Sequence, residues 1–280
     1  MPRHPNAYVR AAKLSETSAI TDVLTRAFVN DPTMCFYGAV SALVKDPANP
    51  TPSEQKTIQA LRVFLGAMLK LPMLLGGNVD VVAIPADHDG SSANPDAGKD
   101  SKERITAVAM WLPPGVSLDF SLPTIFRAGV HKVAFSWGLT SIKVRYRSTF
   151  RQARTSLTAC QQRLGGDYTS AVEGTLAREF NARNLDRSDS WHVFMIAVDP
   201  DQQGAGYSSM LFKAGFRRAS PTPIHLAASK PRNKDIYEHF GFELVETHVV
   251  GVGEVDANGI KARGEAAIGV PEFVMIKWTS

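Results

Sequence analysis

The chain has few cysteines and no long uninterrupted apolar run. Its 280 residues include only Cys35 and Cys160, which are far apart and lack the short spacing of a zinc site. We therefore expect no metal and no disulfide framework, as is usual in a reducing compartment. The most apolar window, residues 63–77, is interrupted by Lys70 and Pro72, and the N-terminus lacks the apolar core of a signal peptide. These absences predict a soluble, cytoplasmic protein with no membrane partner.

Acidic residues are absent between residues 120 and 166, where eight cations occur. The whole chain has a net charge of +4, so the remainder carries −4. A basic block of this kind is typical of a solvated helix face, or of a surface that attracts nucleic acid, an anionic cofactor or an acidic substrate. No recognisable nucleic-acid-binding module or aromatic platform accompanies the charges. Nucleic acid is therefore not the partner that we expect.

The order of the apolar patterns predicts an α/β or α+β fold with a mixed sheet. Strand patterns occupy residues 8–14, 79–84, 105–112, 191–198, 224–229, 242–250 and 273–279. Helical patterns occupy residues 53–71, 208–219 and 233–241, and a first helix that Ser15 would cap and Asp31-Pro32 would end. We expect a single domain over residues 1–280, with a polar loop at 86–104 and a helical insertion at about 116–190.

The segment VDPDQQGAGYSSML, residues 198–211, leads from a strand through two glycines into a helix. Such a turn exposes unpaired backbone N–H groups at the positive end of a helix dipole, which favours phosphate. Gly204 and Gly206 are informative as a pair, because glycine is needed where the backbone approaches an anion closely. The GxxxxGK[ST] pattern is absent, and Ser209 stands where the Rossmann pattern needs its third glycine. From these residues alone, the turn is either a phosphate site or a connection without a ligand.

The same stretch resembles the acetyl-CoA signature of the GNAT superfamily of N-acetyltransferases. In that signature a strand ending in V-x-P is followed by Q/R-x-x-G-x-G/A, and Gln203, Gly206 and Ser208 fill the frame here. Ser208 replaces the usual Gly or Ala. Downstream, SKPRNKDIYEHFGFELVE is similar to the family segment in which an Asn precedes a Y-E-x-x-G-F box. The stretches AFVNDP, AVAMWLPPG and SKPRNKDIYEHFGF resemble small-molecule acetyltransferases of the puromycin N-acetyltransferase type from fungi and bacteria.

The resemblance implies the GNAT fold, in which a mixed, mostly antiparallel central sheet is flanked by helices and splayed between its fourth and fifth strands. It implies acetyl-CoA as the cosubstrate and no metal, with the pyrophosphate on the backbone amides of the turn. The backbone of Val198 would pair with the pantetheine arm. Asn233 would contact the cosubstrate, although it fits equally well as a helix N-cap. The residues implied to bind the cosubstrate are Val198, Gln203, Gly204, Ala205, Gly206, Tyr207, Ser208 and Asn233.

The resemblance also implies the catalytic groups. The Ile196 N–H would polarise the acetyl carbonyl, and the Tyr237 phenol, protonated at neutral pH, would protonate the leaving thiolate. His192 stands where histone-acetylating relatives carry a glutamate base, and a group that titrates near pH 6.5 suits that task. The alternative for His192 is a strand histidine without a chemical role. Asp31 and a water chain are the other candidates for the base.

We expect direct transfer of an acetyl group from acetyl-CoA to a primary amine of a small molecule, in a ternary complex and without an acyl-enzyme. Two alternatives stay open at this stage. One is N-acetylation of proteins or peptides, and the other is a CoA-binding module that has lost catalysis. The sequence leaves the acceptor, the acyl chain length and the oligomeric state open.

Overall fold

The protein is described by a computed structural model for residues 2–85, 103–116, 122–136 and 167–279. The strands are β1 (Tyr8–Ala11), β2 (Asn78–Pro85), β3 (Glu103–Leu112), β4 (Trp191–Val198), β5 (Ile224–Ala228), β6 (Glu243–Val250) and β7 (Val270–Lys277). The helices are α1 (Thr17–Phe28), α2 (Pro32–Tyr37), α3 (Pro52–Leu75), α4 (Leu122–Ala128), α5 (Val130–Ser136), α6 (Asp167–Asn181), α7 (Tyr207–Ala219) and α8 (Pro231–His239). The strands form one sheet in the order β1-β2-β3-β4-β5-β7-β6. Neighbouring strands in this part of the chain are antiparallel except β4 and β5, which are parallel. The mixed, mostly antiparallel sheet is therefore confirmed.

Two predicted helix boundaries near the N-terminus are wrong. Ser15 does not cap α1, because it lies in a single 3-10 turn, Leu14–Glu16, that precedes the helix. The Glu16 carboxylate accepts hydrogen bonds from Arg10 and from the backbone N–H of Lys13, which fixes that turn. Asp31 does not end α1, which stops at Phe28, but instead begins α2 as its N-cap. Pro32 occupies the first position of α2, where a missing N–H is harmless.

Part of the predicted domain organisation falls outside the described residues. This holds for residues 86–102 of the predicted loop, for residues 137–166 of the predicted helical insertion and for most of the basic block. Residues 103 and 104 belong to β3 rather than to the loop. Within the described part of 116–190, residues 122–136 and 167–181 are largely helical. The single domain with a helical insertion stays a prediction.

Alternate residues of β3 face two different cores. Val108 and Met110 pack with α1 and α3 on one face of the sheet, whereas Ala109 and Trp111 pack with α7 on the other. On the α7 face the helix crosses close to the Trp111 ring, and a Cβ on Gly215 would lie 2.1 Å from it. Helices therefore cover both faces of the sheet. A ligand can reach the sheet at its loops or where two neighbouring strands separate.

Helix α3 is long and strongly apolar. In the part of the chain that the structure describes, it is the one helix with the length and composition to cross a membrane. Half of its most apolar window is buried inside the protein, and Leu61, Leu65 and Met68 belong to the core beneath the sheet. Its apolar composition thus serves packing against α1 and the sheet.

Strands β4 and β5 separate soon after they begin. Their parallel pairing is limited to Trp191 opposite Ile224 and His192 opposite His225. On its other edge β4 pairs with β3 as far as Val198. The β5-facing edge of β4 beyond Val193 therefore borders a cleft, and the splay between the fourth and fifth strands is confirmed.

Candidate active site

The turn between β4 and α7 contains two glycines in the left-handed backbone conformation. Gly204 has φ +81° and Gly206 has φ +78°, a region that other residues enter at a cost of roughly 1–2 kcal/mol. Gly206 is the N-cap of α7 and offers no side chain to the N–H groups of the first turn. A Cβ on Gly206 would meet nothing within 4 Å. Open backbone N–H groups at a helix N-terminus, with free space before them, form a site that suits a phosphate.

A buried carboxylate anchors the start of this turn. Asp199 is fully buried, and its backbone N–H donates to the Thr106 carbonyl at 2.8 Å. Its carboxylate accepts hydrogen bonds from the Arg26 guanidinium on α1 and from the backbone N–H of Asp201. The position of the glycine turn is thus tied to both β3 and α1. Neither Asp199 nor Arg26 was among the residues predicted from the sequence to take part in the site.

The hydrogen bond from Asp199 to Thr106 shows which backbone groups of β4 face the cleft. Along an antiparallel pair, the N–H and C=O of successive residues point alternately towards and away from the partner strand. Because Asp199 faces β3, so does Ala197, whereas Ile196 and Val198 point to the opposite side. Both residues line the cleft. An N–H fixed in this way can polarise a carbonyl, and the neighbouring groups can pair with an extended amide chain.

The predicted cosubstrate residues surround one cleft of about 260 Å³. The cleft-lining residues among them are Val198, Gln203, Gly204, Gly206, Tyr207, Ser208 and Asn233. Ala205 is buried beneath the turn instead. The Tyr207 side chain is also buried, and its hydroxyl accepts a hydrogen bond from the backbone N–H of His4, so Tyr207 presents only its backbone to a ligand.

Asn233 is not a helix cap. The N-cap of α8 is Lys230, and Asn233 lies in the first turn of the helix. It lines both the cleft and the larger cavity described below. This placement removes the structural alternative for Asn233, and its contact with a cosubstrate stays a prediction.

Tyr237 lies on α8 with its ring packed edge-on against Phe212, at 5.8 Å between ring centroids. Burial raises the pKa of the phenol, and the nearby Asp31 carboxylate raises it further. Tyr237 is therefore fully protonated at neutral pH. A protonated phenol in this position can donate a proton and cannot act as a base.

A second cavity, of about 670 Å³, joins the cleft. We call it the acceptor cavity. The residues that line both spaces are Phe28, Asp31, Ile196, Asn233 and Tyr237. The two spaces therefore meet beside the Ile196 backbone and the Tyr237 phenol, where a ligand in the cleft could react with a ligand in the acceptor cavity.

Asp31 is held by four donors where the two spaces meet. One carboxylate oxygen accepts from the backbone N–H groups of Thr33 (3.1 Å) and Met34 (3.3 Å). The other accepts from the Ser229 hydroxyl at 2.9 Å and pairs with the Lys230 ammonium at 3.2 Å. Asp31 thus fastens α2 to the connection between β5 and α8. To act as a base, it would first have to give up one of these donors.

Glu272, on β7, is a further acid in the acceptor cavity that the sequence analysis missed. Its side chain is buried and accepts a hydrogen bond from the Thr33 hydroxyl. Because the Thr33 backbone N–H also donates to Asp31, the two acids are linked through one residue. No local pattern marks Glu272, since its partner is 239 residues away in the sequence.

His192 lies in the acceptor cavity and stacks on His225, with ring centroids 4.6 Å apart and planes inclined by 16°. Burial, with a smaller effect of the Arg187 charge, lowers the pKa of His192 to about 3. The ring is therefore neutral at pH 7 and weakly basic. His192 is also four residues from Ile196, at most about 13 Å along an extended strand. Proton transfer from an amine at Ile196 to His192 would therefore need intervening water, and the base role stays a prediction.

Neither a thiolate nor a metal group stands out in the described ranges. Cys35 is buried, and burial raises the pKa of its thiol to about 12, so the thiol is protonated and unreactive. Cys160 lies outside those ranges. Among the residues described, no group of three or more His, Cys, Asp or Glu side chains is placed to hold a metal ion.

Comparison with known proteins shows which family this chain is similar to. Residues 132–245 match the sequence model of the acetyltransferase (GNAT) domain. An uncharacterized N-acetyltransferase of Schizosaccharomyces pombe is 24% identical over 140 residues, which are 49% of this chain and 47% of the relative, so the chain spans about half the length of that relative. The fold is similar to the crystal structure of histone acetyltransferase HPA2 and related acetyltransferase from Corynebacterium glutamicum, with a TM-score of 0.50 and 18% identity over 98% of this chain and 97% of that one. Residues 132–245 are therefore similar to the GNAT acetyltransferase domain, in agreement with the resemblance of the two signature segments, and the fold of the chain is that of a solved GNAT relative.

Proposed function

We propose that this protein transfers an acetyl group from acetyl-CoA to a primary amine of a small molecule. The observation that carries the proposal is the junction of the cleft and the acceptor cavity at Ile196 and Tyr237. An oriented N–H donor and a protonated phenol meet there, and each of the two spaces can hold one substrate. This arrangement suits direct transfer between two bound substrates.

The cleft suits acetyl-CoA along its whole length. The N–H groups of the turn at 204–208 bind the pyrophosphate, because the space before Gly206 is open and the helix dipole favours an anion. The Val198 backbone pairs with the pantetheine amides, and Asn233 contacts the arm from α8. The thioester then lies next to Ile196 and Tyr237.

The reaction needs one bond to form and one to break. The amine nitrogen attacks the acetyl carbon, and the Ile196 N–H stabilises the negative charge that develops on the carbonyl oxygen. When the C–S bond breaks, the Tyr237 phenol gives its proton to the departing thiolate. Before the attack, the ammonium loses one proton through water, with His192 or Asp31 as the acceptor. After the attack, the nitrogen loses a second proton, which restores the Tyr237 phenol. No enzyme nucleophile is required, and the protonated state of Cys35 is consistent with that.

A small acceptor is favoured by the shape of the acceptor cavity. A volume of about 670 Å³ lies within the range of roughly 300–1,000 Å³ that is usual for small-molecule sites. Acetylation of a protein tail would instead call for an open groove. A module without catalysis would have no use for a protonated Tyr237 at the junction.

The test is calorimetric titration of the protein with acetyl-CoA and with CoA, followed by thiol release and mass spectrometry across a panel of amines. We expect micromolar binding of both ligands, and an N-acetylated product formed in equal amount to the released CoA. Tyr237→Phe should bind both ligands and turn over slowly. Absence of binding would mean that the turn is structural, and thiol release without an amine product would indicate a thioesterase.

A further inference from the structure

The walls of the acceptor cavity are apolar. They are formed by side chains of α1, α2, α3, β3 and α6, namely Phe28, Met34, Phe64, Met68, Leu112 and Leu176. Phe64, Met68, Leu112 and Leu176 are buried in the protein core around the cavity. A ligand in the cavity would therefore touch mainly hydrocarbon.

Among the described residues, the charged groups that line the acceptor cavity lie at its two ends. Asp31 also lines the cleft, and Glu272 is joined to it through Thr33, so these acids mark the end near Tyr237. Arg187 lies at the other end, where it pairs with Glu173 at 2.7 Å. Between the ends, the walls offer no counter-ion among the described residues. The cavity thus suits one ammonium group, at the end where the acetyl group is transferred.

The end of the acceptor cavity at Arg187 carries almost no net charge. His192 and His225 form the stacked pair there, and His225 bonds to the Ser190 hydroxyl at 3.0 Å. Burial lowers the pKa of both rings, so neither carries charge at pH 7. The Arg187 charge is balanced by Glu173. An apolar or aromatic group can lie against these rings. Among the described residues, the carboxylate at this end is that of Glu173, which is already paired with Arg187 and is not free for a second ammonium.

We infer that the acceptor is a primary monoamine with a bulky apolar body. Its ammonium group lies beside Asp31 and Glu272, and its body extends along the apolar walls towards the stacked histidines. This inference rests on the proposed function and narrows its acceptor. Polyamines and amino sugars are disfavoured, because their additional ammonium and hydroxyl groups would be left unpaired among Phe64, Met68 and Leu176.

The inference is tested by matched amines with the wild-type protein. From propylamine to hexylamine, kcat/KM should rise about fourfold for each added methylene, as expected for burying one methylene group. Replacing hexylamine by 1,6-diaminohexane should lower kcat/KM at least about a hundredfold, since an unpaired ammonium would enter the apolar part. Cyclohexylmethylamine should likewise be a much better substrate than glucosamine.

A variant that narrows the cavity gives an independent test. Val172 lies on α6, is partly exposed and lines the cavity. Val172→Trp should abolish the increase in kcat/KM beyond propylamine and leave propylamine itself a substrate. Ala177→Trp, at an exposed position of the same helix, is the matched control and should keep the whole increase.

The results separate this inference from the proposed function. Preference for diamines or amino sugars, or an unchanged chain-length dependence in Val172→Trp, would overturn the monoamine acceptor and leave amine acetylation standing. Binding of acetyl-CoA with no acetylation of any amine in the panel would contradict both proposals.

Discussion

Replacing Gly206 by alanine separates the two possible roles of the glycine turn. The residue has φ +78°, and its added methyl group would meet nothing within 4 Å. Any effect on folding therefore comes from the backbone conformation alone. Gly76→Ala is a matched control, because Gly76 has φ +82°, equally open space and a position at the end of α3. Gly76 is not among the described residues that line the cleft or the acceptor cavity.

The expected loss of stability is the same for both variants. A left-handed conformation costs a non-glycine residue about 1–2 kcal/mol. The smaller conformational freedom of alanine in the unfolded chain returns about 0.4–1 kcal/mol. The net loss in the free energy of unfolding is then about 1 kcal/mol, which lowers the Tm by about 2–4 °C in a chain of this size.

The expected loss of acetyl-CoA affinity differs between the variants. In Gly206→Ala a small shift of the turn relieves part of this strain and turns backbone N–H groups away from the pyrophosphate. One hydrogen bond to a charged group contributes about 1.5–3 kcal/mol, so the Kd should rise about ten- to hundredfold. Gly76→Ala should bind normally. Calorimetry and thermal denaturation measure both quantities, and equal acetyl-CoA affinity in the two variants would refute the phosphate role of the turn.

Three further predictions concern single side chains. Tyr237→Phe should lower kcat by about a hundredfold or more at unchanged acetyl-CoA affinity, and an unchanged kcat would remove the role of Tyr237 as the acid. Because the phenol pKa is raised, wild-type kcat should show no alkaline decline from this group below about pH 10. The pKa of His192 is about 3 in the folded protein and about 6.5 in the unfolded chain, so the unfolded state binds more protons and stability falls as the pH drops below 6.5. Urea denaturation at pH 5 to 7 measures how steeply the free energy of unfolding changes with pH, and in His192→Gln this slope should be smaller by at most about 1.4 kcal/mol per pH unit. An identical slope in the two proteins would mean that the ring is protonated over this range in the folded protein as in the unfolded chain. Glu272→Gln should raise the KM for the amine about tenfold with kcat and acetyl-CoA affinity unchanged, and an unaltered KM in steady-state kinetics would exclude Glu272 as the ammonium partner.

Features encoded in a short stretch of sequence were predictable. The turn at Gly204 and Gly206 and the tyrosine box around Tyr237 are local patterns, and the structure places both at one cleft. The strands followed from apolar runs, because a buried strand needs them whatever its neighbours are. The splay after His192 followed only from the family resemblance, since no local pattern marks the point where two strands part.

Features made by distant residues were not predictable. The acceptor cavity combines α1, α2, α3, β4 and β7, and no single segment shows that they meet. The low pKa of His192 depends on burial that the strand pattern does not reveal. Asp31-Pro32 was misleading for a different reason, because Asp followed by Pro both interrupts one helix and begins another.

If acetyl-CoA binds as proposed, the gap between β4 and β5 also couples the stability of the fold to the supply of that ligand. A ligand that lies along Ile196 and Val198 takes the place of a missing strand, and only the folded chain offers that place. At a ligand concentration about 100-fold above Kd, mass action adds about 2.7 kcal/mol to the stability of the folded state. Depletion of acetyl-CoA would then withdraw that contribution and expose more of the chain to proteases, so the abundance of the protein would follow the supply of its proposed cosubstrate.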